Sequence, residues 1–180
     1  MKPEDYRVTG TRLMLDHPWV QVVVDTLEHD GASAPYFYIA SPIDTVATLA
    51  LTPEGDVLLT RQYRHPVRQV IYDLPAGRLN PGEDPLTGAA RELEEETGYR
   101  AAEIKPLGTF TPFPGSLKVT AHLFLATGLT HVGQHLDEGE ELEMVKRPFA
   151  EVRAMVLRGE CIDASLQLAV LLAAQKGWAV

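Results

Sequence analysis

Apolar residues along the chain follow two different patterns, and each pattern predicts a different element. Runs rich in β-branched and aromatic residues predict strands, whereas apolar residues that recur every three or four positions predict helices. The predicted strands are residues 19–27, 36–39, 45–51, 57–61, 70–74, 104–107, 109–113 and 119–126. The predicted helices are residues 85–97, 149–157 and 165–176. Residues 144–146 form a run that is too short to assign.

The order of these elements predicts an α/β fold. Strands precede and follow a central helix and two helices end the chain, which favours a mixed sheet covered on both faces. A turn at 52–56 makes its two flanking strands a hairpin. We expect residues 1–40 to form a separate strand arm and residues 41–180 the main domain. Residues 128–141 are predicted to form a polar loop.

The central helix carries a start signal and a stop signal. Asp84 is a good N-cap, Pro85 suits the first helical position, and Gly98 suits a left-handed C-terminal cap. Small and apolar residues at three- and four-residue spacing predict its inward stripe, which consists of Leu86, Ala89, Ala90, Leu93 and Thr97.

Three carboxylates share one face of the same helix. Glu92, Glu95 and Glu96 stand at i, i+3 and i+4, so they repel one another unless a cation lies between them. Hard oxygen ligands of this kind select Mg²⁺ or Mn²⁺. An isolated acidic run is more often a solvated helix face. Here the neighbouring Glu83 and Arg91, together with the helix caps, favour the metal site.

Residues 77–99 contain a longer pattern around these carboxylates. They are GRLNPGEDPLTGAARELEEETGY, which fills every fixed position of G-x5-E-x7-R-E-U-x-E-E-x-G-U except the last aliphatic slot, where Tyr99 stands. Such a set of specified positions is far more specific than a lone glycine-rich loop. The segment resembles the signature of the Nudix hydrolases, which cleave a diphosphate linked to another moiety. The resemblance implies the α/β/α sandwich of that family.

The resemblance also implies roles for the residues of the helix. Arg91 is placed to pair with a neighbouring carboxylate and to hold its rotamer, a supporting role. Bound Mg²⁺ ions would neutralise the diphosphate and lower the pKa of an attacking water. The implied metal ligands are the carbonyl oxygen of Ala76 and the carboxylates of Glu92, Glu95 and Glu96.

Outside that segment the chain resembles the ADP-ribose pyrophosphatase branch of the family over nearly its full length. The similar parts are an aromatic arm, the segment LLTRQYRHP at 58–66, the turn PFPGS, the acidic loop before LEMV, and the segment 159–173. The resemblance implies cleavage of ADP-ribose into AMP and ribose 5-phosphate. It also implies a homodimer in which the arm is exchanged between subunits and stacks on adenine. The implied substrate contacts are Trp19, Tyr36, Arg64 and Pro114.

The base that activates water is expected in the acidic loop, because the helix carboxylates are engaged with metal. Alignment of LEMV with the final strand of the resembling enzymes makes Glu140 the first candidate, as base or as a further metal ligand, and Glu138 the second. Glu95 is the candidate if neither loop residue matters. Gly133 and Gly139 make the loop flexible enough to close over substrate.

Other interpretations stay open at this point. Taken singly, Trp19 and Tyr36 fit half-buried strand positions, and Arg64 fits a surface charge. A sibling enzyme would act on GDP-mannose, FAD or NADH, and a more distant one would remove pyrophosphate from RNA 5′ ends. The non-enzymatic alternative is a Nudix protein that senses nucleotides without cleaving them. Such a binding protein would not need the cluster of Glu92, Glu95 and Glu96.

Composition narrows the class of protein. The chain has 180 residues and a net charge of −9, which argues against indiscriminate binding to nucleic acid or to anionic membranes. Its single cysteine, Cys161, excludes an internal disulfide framework and is expected to be a small apolar residue beside the last helix. The first residues lack the apolar core of a signal peptide. We therefore expect a cytoplasmic enzyme without nucleic-acid or membrane partners.

Overall fold

The computed structural model describes residues 2–136, 139 and 141–178, which form two compact units. The first unit comprises Met1–Asp44 and Thr111–Thr120, and the second comprises Thr45–Phe110 and Ala121–Val180. The strands, in chain order, are β1 (Arg7–His17), β2 (Val20–His29), β3 (Ala32–Ala40), β4 (Thr45–Leu51), β5 (Asp56–Arg64), β6 (Gln69–Asp73), β7 (Ala76–Arg78), β8 (Tyr99–Phe110), β9 (Leu117–Lys118), β10 (Ala121–His131) and β11 (Leu142–Pro148). The helices are a 3₁₀ turn (Pro3–Asp5), α1 (Pro85–Thr97), α2 (Phe149–Leu157) and α3 (Ala164–Gln175).

The first unit is a four-stranded sheet in the order β1-β2-β3-β9. Asp30 and Gly31 join β2 to β3 with φ angles of 49° and 76°, and two consecutive left-handed residues favour a tight hairpin turn. Strand β1 is not among the predicted strands. Its residues are exposed along their whole length, so the sequence shows no alternation of buried and polar positions there. The antiparallel pairing with β2 forms this strand.

The second unit contains a seven-stranded sheet in the order β11-β5-β4-β10-β8, with β6 beside β5 and β7 beside β4. Strands β4 and β10 are parallel, and the other neighbours are antiparallel. The sheet is therefore mixed, as the order of elements predicts. Strands β4 and β5 form the predicted hairpin, in which Ala50 lies opposite Leu58.

Helices cover both faces of this sheet. Because side chains alternate along a strand, Leu49 and Leu51 of β4 join the core that packs against α2 and α3. Ala50 faces the other way and packs with Leu58 and with Leu93 of α1. The predicted α/β fold with a mixed sheet between helices is confirmed. Cys161 is buried in the core of α2 and α3, as expected.

The structure differs from the predicted elements mainly in strand length. Strand β8 contains the strand predicted at 104–107 and the start of the one predicted at 109–113, but it ends at Phe110, so the prediction for 111–113 is wrong. Strand β10 continues to His131, inside the predicted polar loop. The reason is long-range pairing of β8 with β10, which places His131 opposite Tyr99. Pairing with β5 likewise makes the unassigned run at 144–146 part of β11. Among the described residues, no helix is both long enough and apolar enough to span a membrane.

Candidate functional site

Helix α1 carries the predicted carboxylates, and its two ends are fixed as the sequence predicts. The Asp84 carboxylate accepts hydrogen bonds from the backbone N–H groups of Leu86 and Thr87 at 3.1 and 3.2 Å. Gly98 has a φ of 74° and donates its N–H to the carbonyl of Glu94. Glycine adopts this left-handed conformation at little cost.

The buried stripe of α1 is shifted from the predicted one. Ala89, Leu93 and Thr97 are buried, but Leu86 is 43% exposed, so its assignment to the inward stripe is wrong. The first turn instead places Gly88 inward, where a Cβ would overlap the side chain of Leu79. The space between Gly88 and Leu79 is too small for a larger side chain at position 88.

Glu96 is not part of a solvated helix face. Its side chain is buried, with 4% of the residue exposed. Its Oε2 accepts a hydrogen bond of 2.8 Å from the backbone N–H of Ala76, at the start of β7. Strand β7 in turn pairs with β4, where Ala76 lies opposite Ala47. The carboxylate is therefore fixed against the main chain at the edge of the core.

Glu92 occupies the space that a side chain at position 77 would need. A Cβ built on Gly77 would overlap the Glu92 carboxylate. Only glycine lets a carboxylate lie this close to the backbone of β7. The glycine position at the start of the predicted signature therefore has a steric reason, because Gly77 leaves room for the carboxylate of Glu92.

Arg91 gathers three carboxylates around one guanidinium. Its Nε and Nη2 each donate to Glu83 at 3.0 Å, and Nη1 donates to Glu92 at 2.8 Å and to Glu95 at 2.9 Å. Nη2 also donates to the carbonyl of Arg78 at 3.0 Å. Charge-assisted bonds of this kind are shorter and stronger than neutral ones. Arg91 thus fixes the rotamers of the cluster.

The contacts of Arg91 shift the pKa of Glu83 strongly. Hydrogen bonds from the arginine are the main cause that lowers this pKa to about 2. Because the carboxylate is more acidic in the folded state, it stabilises the fold above its ordinary pKa of 4.5. That stabilisation is lost as the pH falls from about 4.5 to about 2.

The cluster fits a divalent cation in its donors and its charge. Arg91 binds the carboxylates of Glu83, Glu92 and Glu95 with one positive charge, so these three acids carry more negative charge than Arg91 neutralises. The carboxylate of Glu96 lies on the same helix as Glu92 and Glu95. Oxygen donors of this kind suit Mg²⁺ or Mn²⁺. Within the described ranges, no group of three or more acidic, histidine or cysteine side chains is already arranged as a metal site. Glu83, Glu92 and Glu95 are instead paired with Arg91.

Tyr99 fills the last slot of the signature and keeps its apolar role. The ring packs beside the cluster that contains Leu93, as an aliphatic residue would. The hydroxyl adds a contact, because Lys146 of β11 donates to it through Nζ at 2.7 Å. The departure from the pattern is therefore compatible with the fold of the helix end.

Arg64 is paired rather than a lone surface charge. Its Nε and Nη2 lie 2.7 and 2.6 Å from Oδ2 of Asp73 on the neighbouring strand β6. The sequence interpretation did not single out Asp73. A usable signal was present, because Asp73 is the only charged residue in the run VIYDLPAG.

The first unit brings Tyr36 and Pro114 to one cavity of about 530 Å³. The Tyr36 hydroxyl donates a 2.6 Å hydrogen bond to the carbonyl of Gly115, which fixes the turn against β3. Tyr38 and Asp44 line the same cavity. Trp19 does not line it and is 68% exposed.

The predicted bases Glu138 and Glu140 lie outside the described residues. The segment before them is anchored to the end of α1. His135 donates its N–H to the carbonyl of Glu95 at 3.0 Å, and the Gln134 side chain donates to the carbonyl of Glu96 at 2.6 Å. The sequence carries no signal for Gln134, whose role depends on tertiary contact.

Gly77→Ala is expected to lower kcat/KM by about 10²-fold, the scale of a 1 Å misplacement of a reacting group. The added methyl group would force the Glu92 carboxylate away from β7. Steady-state kinetics on a diphosphate substrate, as the resemblance to the Nudix hydrolases implies, measure the effect. Gly108→Ala is the matched control, because a Cβ there would make only an ordinary van der Waals contact, 3.5 Å from the side chain of Leu172. Equal activity of both variants would contradict the steric role of Gly77.

Comparison with known proteins agrees with this geometry. Residues 42–163 match the model of the NUDIX domain. An ADP-ribose pyrophosphatase of Bacillus subtilis is 34% identical over 87% of this chain and 90% of its own length. An ADP-ribose pyrophosphatase of Mycobacterium tuberculosis is 38% identical over 84% of this chain and 68% of its own length.

A solved structure supports the fold. The crystal structure of an ADP compounds hydrolase superposes with a TM-score of 0.86, at 21% identity, over 97% of this chain and 96% of that one. The predicted resemblance to the Nudix family and its ADP-ribose pyrophosphatase branch is confirmed, as is the prediction of a hydrolase of diphosphate bonds. The steric role of Gly77 and the three carboxylates bound by Arg91 thus lie within the signature segment, and the chain belongs to the Nudix family.

Proposed function

We propose that the protein hydrolyses ADP-ribose to AMP and ribose 5-phosphate with Mg²⁺ as cofactor and Mn²⁺ as its substitute. The observation that carries the proposal is the cluster of Glu83, Glu92 and Glu95 around Arg91, with Glu96 on the same helix. The two ADP-ribose pyrophosphatases described above, which align over most of this chain, support the choice of substrate.

We propose different roles at the diphosphate for the carboxylates of the helix and for Arg91. Glu92, Glu95 and Glu96, with the carbonyl oxygen of Ala76, would hold the cation. Bound Mg²⁺ supplies neutralisation of the diphosphate charge and a more acidic water. Arg91 is a positioning residue, since it orients Glu92 and Glu95 and binds Glu83 through two nitrogens. Fixed carboxylates lose little freedom when the cation binds, which favours catalysis.

The substrate contacts are proposed on the other predicted residues. Arg64 donates to the diphosphate, and Pro114 lines the cavity beside Tyr36. Trp19 and Tyr36 present flat apolar rings on which a nucleobase can stack. We propose that the enzyme works in the cytoplasm, in agreement with its one buried thiol.

A substrate screen tests the proposal. ADP-ribose, GDP-mannose, FAD, NADH and dinucleoside polyphosphates are compared by kcat/KM, each with Mg²⁺ and with chelator. We expect the highest value for ADP-ribose, with AMP and ribose 5-phosphate as the only products and no turnover in chelator. A higher value for another compound would assign a sibling activity. Binding of nucleotides without any turnover would indicate a sensor.

The arm is proposed to form a homodimer interface. Large apolar side chains are exposed on its strands and turns, including Val8, Leu13, Met14, Leu15, Trp19, Phe37 and Ile39. Exposed large apolar side chains in this number are typical of surfaces that bind another protein.

We expect light scattering to give twice the monomer mass of 19.8 kDa. We expect Trp19→Ala to raise KM for ADP-ribose by about 5- to 150-fold, the range that corresponds to the loss of one base–aromatic stack. Trp178→Ala is the control, because it removes the other tryptophan, which lies in the second unit. A monomer whose KM is unaffected by Trp19→Ala would refute this proposal.

A further inference from the structure

Asp73 is a buried carboxylate whose charge is compensated by one arginine. Its side chain is 4% exposed. Nε and Nη2 of Arg64 both contact Oδ2 of Asp73, at 2.7 and 2.6 Å. Oδ1 is also buried and has no hydrogen-bond partner within the described residues. Among the described residues, Arg64 is therefore the group that compensates the negative charge of Asp73.

A second carboxylate, that of Asp163, adds to the negative charge that Arg64 compensates. Burial raises the pKa of Asp163, the N-cap of α3, and the charge of Asp73 raises it further. Burial likewise raises the pKa of Asp73, while Arg64 lowers it. A buried carboxylate without its partner strongly destabilises the folded state, because its charge is left uncompensated. Arg64 is consequently confined to one geometry instead of sampling the many rotamers of an exposed arginine.

The partner of Arg64 is tied to the carboxylate site through a short stretch of backbone. Only two residues, Leu74 and Pro75, lie between Asp73 and Ala76, so the Cα atoms of Asp73 and Ala76 are within about 11 Å of each other. The N–H of Ala76 donates to Glu96. Between them, the carbonyl of Pro75 accepts a 2.9 Å hydrogen bond from Thr48 of β4. This segment, which is hydrogen-bonded at both ends, limits the distance between the guanidinium of Arg64 and the carboxylates of the helix.

Part of the guanidinium remains available for a ligand. The Arg64 side chain is 43% exposed, and its Nη1 makes no hydrogen bond to any residue that the structure describes. A planar guanidinium can bind one carboxylate through two nitrogens and still present the third to a phosphate oxygen.

We propose that Asp73 is a positioning residue that holds Arg64 so that its Nη1 donates to the diphosphate of the substrate. This inference rests on the proposed function and adds to it the residue that fixes the arginine. In the alternative, the pair is only a cross-link between β5 and β6. The two cases differ in the sign of the effect on KM. An arginine that needs no positioning would bind phosphate more strongly once its competing carboxylate is removed.

A double-mutant cycle on the full-length chain tests the inference. Asp73→Asn, Arg64→Met and the double variant are compared with the wild type by kcat, KM and thermal midpoint. We expect Asp73→Asn to raise KM about tenfold and to leave kcat within about twofold, because the contact is a binding contact. Arg64→Met should raise KM at least as much. The double variant should show no further increase, because residues that act through one contact are not additive.

Two further variants keep the test decisive. Arg64→Lys retains a positive charge beside Asp73 but lacks the planar guanidinium, so it should raise KM by about the same factor as Arg64→Met. It serves as the test if Arg64→Met is poorly folded. Glu160→Gln is the matched control, because Glu160 also binds an arginine, Arg158, through two contacts, but on the surface. It should leave KM unchanged.

The outcomes separate this inference from the proposed function. An unchanged or lower KM for Asp73→Asn, or a KM effect that simply adds to that of Arg64→Met, would overturn the positioning role while ADP-ribose hydrolysis stands. If another diphosphate is the better substrate in the screen, the proposed function fails. The same cycle on that substrate then decides the role of Asp73, because every candidate carries the diphosphate.

Discussion

Replacement of Glu96 by glutamine is expected to lower kcat by at least about 10³-fold, which corresponds to the several kcal/mol supplied by a catalytic cation. Glutamine keeps the size of the side chain and an oxygen that can still accept from the N–H of Ala76, so the fold should persist. What it removes is the negative charge of a buried residue. Glu92→Gln is expected to have a similar effect, because its carboxylate lies against Gly77 in the same cluster.

The measurement combines turnover with metal binding. We expect both variants to bind Mg²⁺ or Mn²⁺ more weakly in calorimetric titrations and to keep the wild-type circular dichroism spectrum. Glu94→Gln is the control on the same helix, since Glu94 pairs with Arg100 at the surface. Near-normal kcat with unchanged metal dependence in both Glu96→Gln and Glu92→Gln would remove the assignment of the metal site.

Glu140→Gln is expected to lower kcat by about 10²- to 10⁴-fold and to change KM little, the range for loss of a general base. The helix carboxylates are poor candidates for the base. Glu92 and Glu95 are bound to Arg91, and Glu96 is bound to the backbone of β7. The acidic loop is the next dense source of carboxylates along the chain. Its start is fixed beside the helix by the contact between His135 and Glu95.

Companion variants identify the residue. Glu141→Gln is the control, since it removes a neighbouring charge that has no assigned role. A loss in Glu138→Gln but not in Glu140→Gln would show that the alignment of the loop is off by two residues. No loss in either variant would make Glu95 the candidate base. The pH profile of kcat should lose its acidic limb in the variant that lacks the base.

The parts of the fold that follow from the sequence are those with a local cause. The caps of α1 depend on Asp84, Pro85 and Gly98, which act within a few residues of their own position. The hairpin of β4 and β5 depends on a turn between two apolar runs. Strand β1 could not be predicted, because its exposed residues carry no alternation and only its pairing with β2 makes it a strand.

The candidate site divides in the same way. The spacing of Glu92, Glu95 and Glu96 predicts a shared helix face, but only the tertiary structure shows that Arg91 binds three carboxylates at once. The contact of Glu96 with Ala76 joins residues that are far apart in sequence. The pairing of Arg64 with Asp73 depends on the register of β5 and β6. Local patterns hold no information about such a register.

The pairing of β3 with β9 has a consequence for how the chain folds as it is synthesised. Ile39 pairs with Leu117, which the ribosome adds only after α1 and β8 have been made. The sheet of the first unit therefore cannot be completed until much of the second unit has been translated. Until then one edge of β3 stays open, and open edges are prone to pair with other chains. Assembly of the first unit is consequently delayed until part of the second unit has been synthesised, although each forms its own compact body.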